Sequence, residues 1–342
     1  MSHKIRSICI KVISLSLFLL FLQPVRSQDW DELDGEVQGR QKQMGKDLVM
    51  MLWKDTLVYK KELGDFNSKT QAALGSASAW LTAALVMTQV DEGKVSLDDK
   101  VSRYLPEFER YGKNYITLRL CLSHMTGIED KSKGMFQKKK FGSLEDQVNS
   151  FAAREIRTNA GEDFWFGNIG INIAGRVLEV VTKKKFDVLA KQKLFNPLTM
   201  RRTTFTTPDA SAVDPFDGAF GTPDDYMQFL IMMVNKGKYK GKQVISEESF
   251  EELIKIQPKE SQIKFAPEAA QGFSYTLGSW AVEEKDGKAS VLTCPSFSGT
   301  WPMVDLCRGY AYLFFTKNQV DDQKSKAHMD LKAVIDKEVD CR

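Results

Sequence analysis

Apolar positions along this chain keep two rhythms. Near the start, Asp47 to Trp53 and Thr56 to Leu63 read as two short strands around a Lys54-Asp55 turn, the pattern of a β-hairpin. From Ser78 to Glu92 the period lengthens: Ala79, Leu81, Ala84, Leu85, Met87 and Val90 recur at helical spacing, and Gly93 supplies a stop. Helical patterns continue at Leu118 to His124, Leu144 to Arg154, Ile169 to Thr182, Phe186 to Leu194 and Pro223 to Asn235. Strand-like segments then return at Gly278 to Val282, Ser290 to Cys294 and Tyr310 to Lys317, and Gln323 to Glu338 reads as a terminal helix. Strands at both ends with helices between them predict an α+β fold. One antiparallel sheet joins the N- and C-terminal segments, about 28–75 and 270–342, flanked by helices. A mainly helical subdomain, about 76–269, is inserted between them.

Composition adds little, because 42% hydrophobic and 27% charged residues are ordinary for a soluble globular chain and nothing points to nucleic acid. The first 27 residues change the charge. Lys4, Arg6, Lys11 and Arg26 lie there without any Asp or Glu, so the remainder carries 44 basic against 45 acidic residues. Val12 to Leu22 is an apolar run behind a basic head, followed by Val25-Arg26-Ser27, which suits signal peptidase. Residues 1–27 are therefore expected to be a cleaved signal peptide, with an exported mature chain, periplasmic or secreted, starting at Gln28. A membrane anchor needs ~20 apolar residues and this run is about half that, so no stable membrane span is expected. The five lysines between Lys131 and Lys140 read as a solvated loop.

Cys9 leaves with the signal, and Cys121, Cys294, Cys307 and Cys341 stay. An exported location permits disulfides. Cys294 and Cys307 flank a strand, a turn and a second strand, and are the expected pair. Cys121 reads as a buried thiol and Cys341 as free. No CxxC pair occurs, and the two mature histidines, His124 and His328, are far apart, so neither a metal site nor a cofactor is expected.

The candidate chemistry comes from ordered motifs. Gly75-Ser76-Ala77-Ser78-Ala79-Trp80-Leu81-Thr82-Ala83 and then Val90 to Val101 resemble the nucleophile helix and following loop of class C β-lactamases, D-alanyl-D-alanine peptidases and related esterases. Ile116-Thr117-Leu118-Arg119 leading to Leu122-Ser123-His124-Met125-Thr126-Gly127 is similar to that family's "ITIRHLLTHTSG" stretch. Ala160 to Asn168, with Gly170, Asn172, Gly175 and Arg176, resembles "PGxxFxYSNxGYxxLGR". Leu194 to Met200 and Thr222 to Tyr226 resemble "IFxPLGM" and "STAxDYxRF".

The resemblance implies a β-lactamase/transpeptidase-like fold and a serine that attacks an acyl carbonyl. A Lys one helical turn later and a Tyr of a YxN motif handle its proton. A third motif, a cation followed by Ser or Thr and Gly, lies on a sheet strand, and backbone N–H groups there and at the serine form an oxyanion hole. Ser76 holds the nucleophile position, but the Lys position is Ala79 and the YxN motif reads Phe166-Gly167-Asn168. The third motif is expected at Phe297-Ser298-Gly299, running into Thr300, with Phe in place of the cation. Asn168, Ser298, Gly299 and Thr300 are then the candidate ligand-binding residues.

Two readings stay open. In the first, the chain is a pseudo-hydrolase that binds a small-molecule, peptide or acyl ligand in the cleft between sheet and helical region. In the second, it is an active serine esterase or peptidase using Ser76 and another base. Ser76 can also be no more than a helix cap, since a serine at a helix start satisfies orphan backbone donors without chemistry.

Overall fold

The computed structural model describes residues 29–130, 141–205, 212–296, 299–316 and 322–341. The expected signal peptide and the lysine run at 131–140 lie outside the described residues. The N-terminal hairpin is β1 (Leu48–Lys54) and β2 (Thr56–Leu63), turning at Asp55 with φ 61°. Five later strands complete the sheet: β3 (Ser274–Tyr275), β4 (Trp280–Lys285), β5 (Lys288–Thr293), β6 (Trp301–Asp305) and β7 (Tyr310–Thr316). Their order is β2-β1-β7-β6-β5-β4-β3, and every pairing is antiparallel. The first and last parts of the sheet are joined by β1 and β7, from Leu48 opposite Thr316 to Trp53 opposite Ala311. The fold is thus the α+β arrangement that the two rhythms predict.

Both faces of this sheet are covered, which is why β1 and β7 read as nearly unbroken apolar runs. Val49, Met51, Leu313 and Phe315 point into the large core on the helical side. Leu48, Met50, Tyr312 and Phe314 point the other way, against α1 (Asp31–Gly39) and the C-terminal helix, α9 (Asp322–Glu338). Between the strands run α2 (Ser78–Asp91), α3 (Leu118–Leu122), α4 (Leu144–Ala152), α5 (Asn168–Thr182), α6 (Phe186–Ala190), α7 (Pro223–Val234) and α8 (Glu247–Leu253). Their starts follow from local chemistry. Ser143 and Thr222 accept hydrogen bonds from the N–H of Asp146 and Asp225, capping α4 and α7, and Pro223 opens α7 where no donor is needed. In α2 every residue from Ser78 to Gln89 is buried, so this helix passes through the centre of the molecule. Among the described residues no helix is long and apolar enough to cross a membrane.

Two expectations are corrected. The strand expected from Gly278 begins only at Trp280, because Gly278 has φ 84° and packs on α2: a Cβ there would lie 2.4 Å from the Ala83 Cβ. The expected Cys294–Cys307 disulfide does not form. The two cysteines do flank a hairpin, but at its opposite ends. Thr293 faces Met303, whereas Leu306 bonds back to Ser290. Cys307 pairs instead with Cys341, at a Cα separation of 4.8 Å, and Cys294 and Cys121 are buried free thiols. The bridge ties the end of the chain to the β6–β7 turn. Lys332 of α9 reinforces the same corner, bonding Asp336 at 2.6 Å and Glu283 at 2.7 Å beside the fully buried Asp305.

Candidate functional site

Gly75, at φ 56°, turns the chain into a short 3₁₀ segment, Gly75–Ala77, that feeds α2. Ser76 sits in that turn. It does not cap α2, whose N-cap residue is Ala77 without a side-chain hydrogen bond. Its hydroxyl, 1% exposed, donates instead to the Pro295 carbonyl at 3.1 Å. Neighbouring groups are equally committed. Ser78 Oγ donates to Gly75 O at 2.6 Å and accepts from Ala219 N at 3.0 Å, while Tyr226 Oη donates to Ala77 O at 3.0 Å.

The family positions for a base beside Ser76 are occupied by Ala79 and Phe166. Ala79 is fully buried in the core and has no side chain to titrate. Phe297 and Ser298 lie outside the described residues. Gly299 (φ 108°) and Thr300 close a tight turn, Gly299 N to Ser296 O at 3.0 Å and Ser296 N to Thr300 O at 2.8 Å. Thr300 is completely buried, and its hydroxyl has no partner among the described residues. What meets Ser76 is the segment just before this turn. Pro295 accepts the Ser76 hydroxyl, and Cys294 Sγ lies 3.3 Å from the Ser76 carbonyl oxygen and 3.7 Å from that of Gly278. A thiol therefore stands beside the serine at the end of β5. Burial pushes that thiol up to about 12, only partly opposed by a bond to the Trp80 backbone, so it stays protonated and unreactive. The sequence reading missed this segment because it anchored the third motif on the Ser-Gly pair three residues later.

Phe166 belongs to a separate aromatic cluster. Its ring lies 4.8 Å from that of His124, and 5.3 Å from those of Phe216 and Trp280. His124 Nε2 shares a 2.9 Å hydrogen bond with Tyr275 Oη. Burial pulls the imidazole down to about 3, against the opposing effect of a hydrogen bond to the Gly167 backbone, so His124 is neutral. Tyr275 is likewise held well above its ordinary value by burial. Sequence reasoning had no means of joining positions 124 and 275.

Next to this cluster, at the start of α5, lies a cavity of about 200 Å³. Ile128, Phe166, Ile169 and Phe265 make its apolar wall, with Asp130 and Arg157 as its charged groups. Gly167 is the N-cap of α5, with no side-chain cap, and it too faces the cavity. Asn168, the first residue of α5, is half-buried; neither it nor Ser76, Gly299 or Thr300 lines this space. Among the described residues, no group of three or more His, Cys, Asp or Glu is arranged to hold a metal ion.

A strand-end serine turn feeding a buried helix, framed by an antiparallel sheet of first and last segments, defines the serine β-lactamase and penicillin-binding-protein class. Residues 37–335 match the β-lactamase family model, and the chain belongs to that family of serine hydrolases. A β-lactamase-like structure from Bacteroides dorei DSM 17855 superposes with a TM-score of 0.77 at 25% identity, covering 86% of this chain and 92% of that one. Protein flp of Staphylococcus aureus (strain MW2) is 26% identical over 140 residues, 40% of this chain and 28% of that protein. The teichoic acid D-alanine hydrolase of Staphylococcus aureus is 25% identical over 136 residues, 40% of this chain and 33% of that enzyme. This chain therefore matches no more than a third of the length of either of those curated relatives.

Proposed function

We propose that this chain is an exported, catalytically impaired member of the β-lactamase family that acts by binding a small acyl or peptide ligand. The observation that carries this is the state of Ser76: buried, donating to the Pro295 carbonyl, and flanked by a protonated thiol. The family positions for its base are Ala79 and Phe166. A serine hydroxyl attacks only when a neighbouring group takes its proton. Loss of members of such a unit costs ~10³ to 10⁶ in rate, so Ser76 is left with little more than water as base.

The retained Ser76 and the hydrolase among the relatives support the second reading, an active esterase or peptidase. It requires a replacement base, and among the described residues His124, neutral and bonded to Tyr275, is a titratable group beside Phe166. Intact-mass analysis after exposure to a fluorophosphonate and to a penicillin separates the two. Wild type should gain no adduct and show no ester turnover that Ser76→Ala removes. Rapid labelling at Ser76 would sink the impaired reading. N-terminal sequencing of the exported form should find a start at or near Gln28; a retained Met1 would refute export with cleavage.

A further inference from the structure

Three glycines line the cavity beside Phe166, and they are glycines for different reasons. Gly127 has φ 71°, and a Cβ there would lie 2.1 Å from the Thr158 carbonyl oxygen. At Gly170 an added Cβ would lie 2.1 Å from the Cys121 carbonyl oxygen. Both are dictated by backbone packing. Gly167 is not. Its φ of 169° is extended backbone open to any residue, and the nearest atom to an added Cβ is Asp130 Oδ2 at 3.8 Å. Only the cavity itself is kept open by the missing side chain.

The rim is preorganised. The Arg157 guanidinium lies 3.9 Å above the Trp165 ring, and Trp165 stacks on Phe265 at 6.3 Å and 17°. Asp130 is bonded to Arg154 at 3.1 Å, and Arg157 lies 3.9 Å from Glu129. Each charge that the described residues place at the cavity is thus already balanced by a protein partner, and a charged ligand would leave a net charge in a partly enclosed site. Of the eight large apolar side chains exposed among the described residues, Trp165 and Phe265 line the cavity and Ile156 adjoins it, bridging to Ile128. Clustered exposed apolar groups mark interaction surfaces or ligand-binding grooves, and here they flank a cavity.

We propose that this cavity, rather than the space over Ser76, is the ligand site, and that it takes a small neutral amide carrying an apolar or aromatic acyl group. The acyl group rests on Ile128, Phe166 and Ile169, the amide N–H donates to Asp130, and its carbonyl accepts from Arg157. About 200 Å³ is below the ~300 to 1,000 Å³ of drug-sized pockets, so the cavity admits one ring and a short chain. The proposal deepens the binding reading and rests on it, yet fails separately from it.

The test is titration of the full mature chain with phenylacetamide, phenylacetate and phenethylammonium, followed by calorimetry or by ligand-observed NMR. Phenylacetamide should bind saturably, and the two ions at least about fivefold more weakly. Gly167→Leu, which fills the cavity without straining the backbone, should weaken phenylacetamide by about tenfold or more while leaving the melting temperature near that of wild type. Ser76→Ala should bind it as wild type does. No saturable binding, equal binding of the ions, or an unaffected Gly167→Leu overturns the proposal. Ser76-dependent turnover would instead overturn the impaired reading and leave the cavity result standing.

Discussion

The Ser76 turn and the cavity at the start of α5 are neighbours in one fold, and they have been filled in opposite ways. Around Ser76 three groups have packing or hydrogen-bonding duties: the hydroxyl is held by Pro295, Ala79 is sealed in the core, and Cys294 occupies the space beside the backbone. At the cavity, Gly167 keeps clear a space that a side chain could fill, and aromatic groups stay exposed at its mouth. At the family positions for proton-transfer groups stand one small and one apolar residue, Ala79 and Phe166. Where space survives, it is walled by rings and balanced charges. The difference separates a region whose groups are committed to the fold from one that keeps an open space.

The largest test of that comparison uses the glycines. Gly278→Ala places a side chain at φ 84°, which costs ~1 to 2 kcal/mol for an L-residue. It also drives a Cβ to 2.4 Å from Ala83, where overpacking costs ~1 to 3 kcal/mol more. Gly170→Ala meets the Cys121 carbonyl at 2.1 Å, a backbone atom that cannot swing aside. Both variants should lose about 3 kcal/mol in denaturant unfolding, whereas Gly167→Ala should stay within about 0.5 kcal/mol of wild type. If Gly167→Ala destabilises as much as the others, Gly167 is structural and the contrast between the two regions collapses.

Much of this was legible beforehand, and the parts that were not share a cause. The strands, the central helix and the ordered motifs are local patterns, so periodicity and spacing carry them. The continuous burial of α2 could be read from its apolar faces alone. Contacts between distant segments could not. Cys341 reads as a free tail residue until α9 is folded across the sheet and brings it to the β6–β7 turn. Cys294 reads as one end of a hairpin until β5 is seen to finish against Ser76. His124 and Tyr275 are 151 residues apart, and only the fold makes them a pair. Gly167 looks like one more turn glycine until the room in front of it is measured.

The second test concerns acid. His124 is held neutral down to about 3 by burial, and burial likewise lowers His328 well below its ordinary value. An unfolded histidine titrates near ~6.5. Between about 6.5 and 3 the unfolded chain therefore binds protons that the folded chain refuses, and stability falls as pH falls. Each histidine adds a slope of up to about 1.4 kcal/mol per pH unit. Urea midpoints measured from pH 7 to 4.5 should drop, and His124→Gln should flatten the curve. A flat wild-type profile would mean that the aromatic cluster around Phe166 opens to water, which removes the rigid wall on which the cavity depends.

The smallest effect bears most directly on Ser76. If this serine is held as a structural pin, then Ser76→Ala deletes one hydrogen bond, 3.1 Å long, to the Pro295 carbonyl. A neutral buried bond of this kind contributes ~0.5 to 1.5 kcal/mol, and the abandoned carbonyl keeps part of its desolvation cost. The variant should therefore unfold about 1 kcal/mol more easily than wild type. Were Ser76 instead a strained, catalytically poised nucleophile, its replacement would relieve strain, and the variant would be as stable as wild type or more so. Ser76→Thr sharpens the distinction. It keeps the donor but adds a methyl group to a position 1% exposed and packed against Cys294 and Pro295, so overpacking should cost at least as much as the lost bond. A loss in both variants, with no change in ester turnover, is the outcome expected of a hydroxyl that now serves the fold.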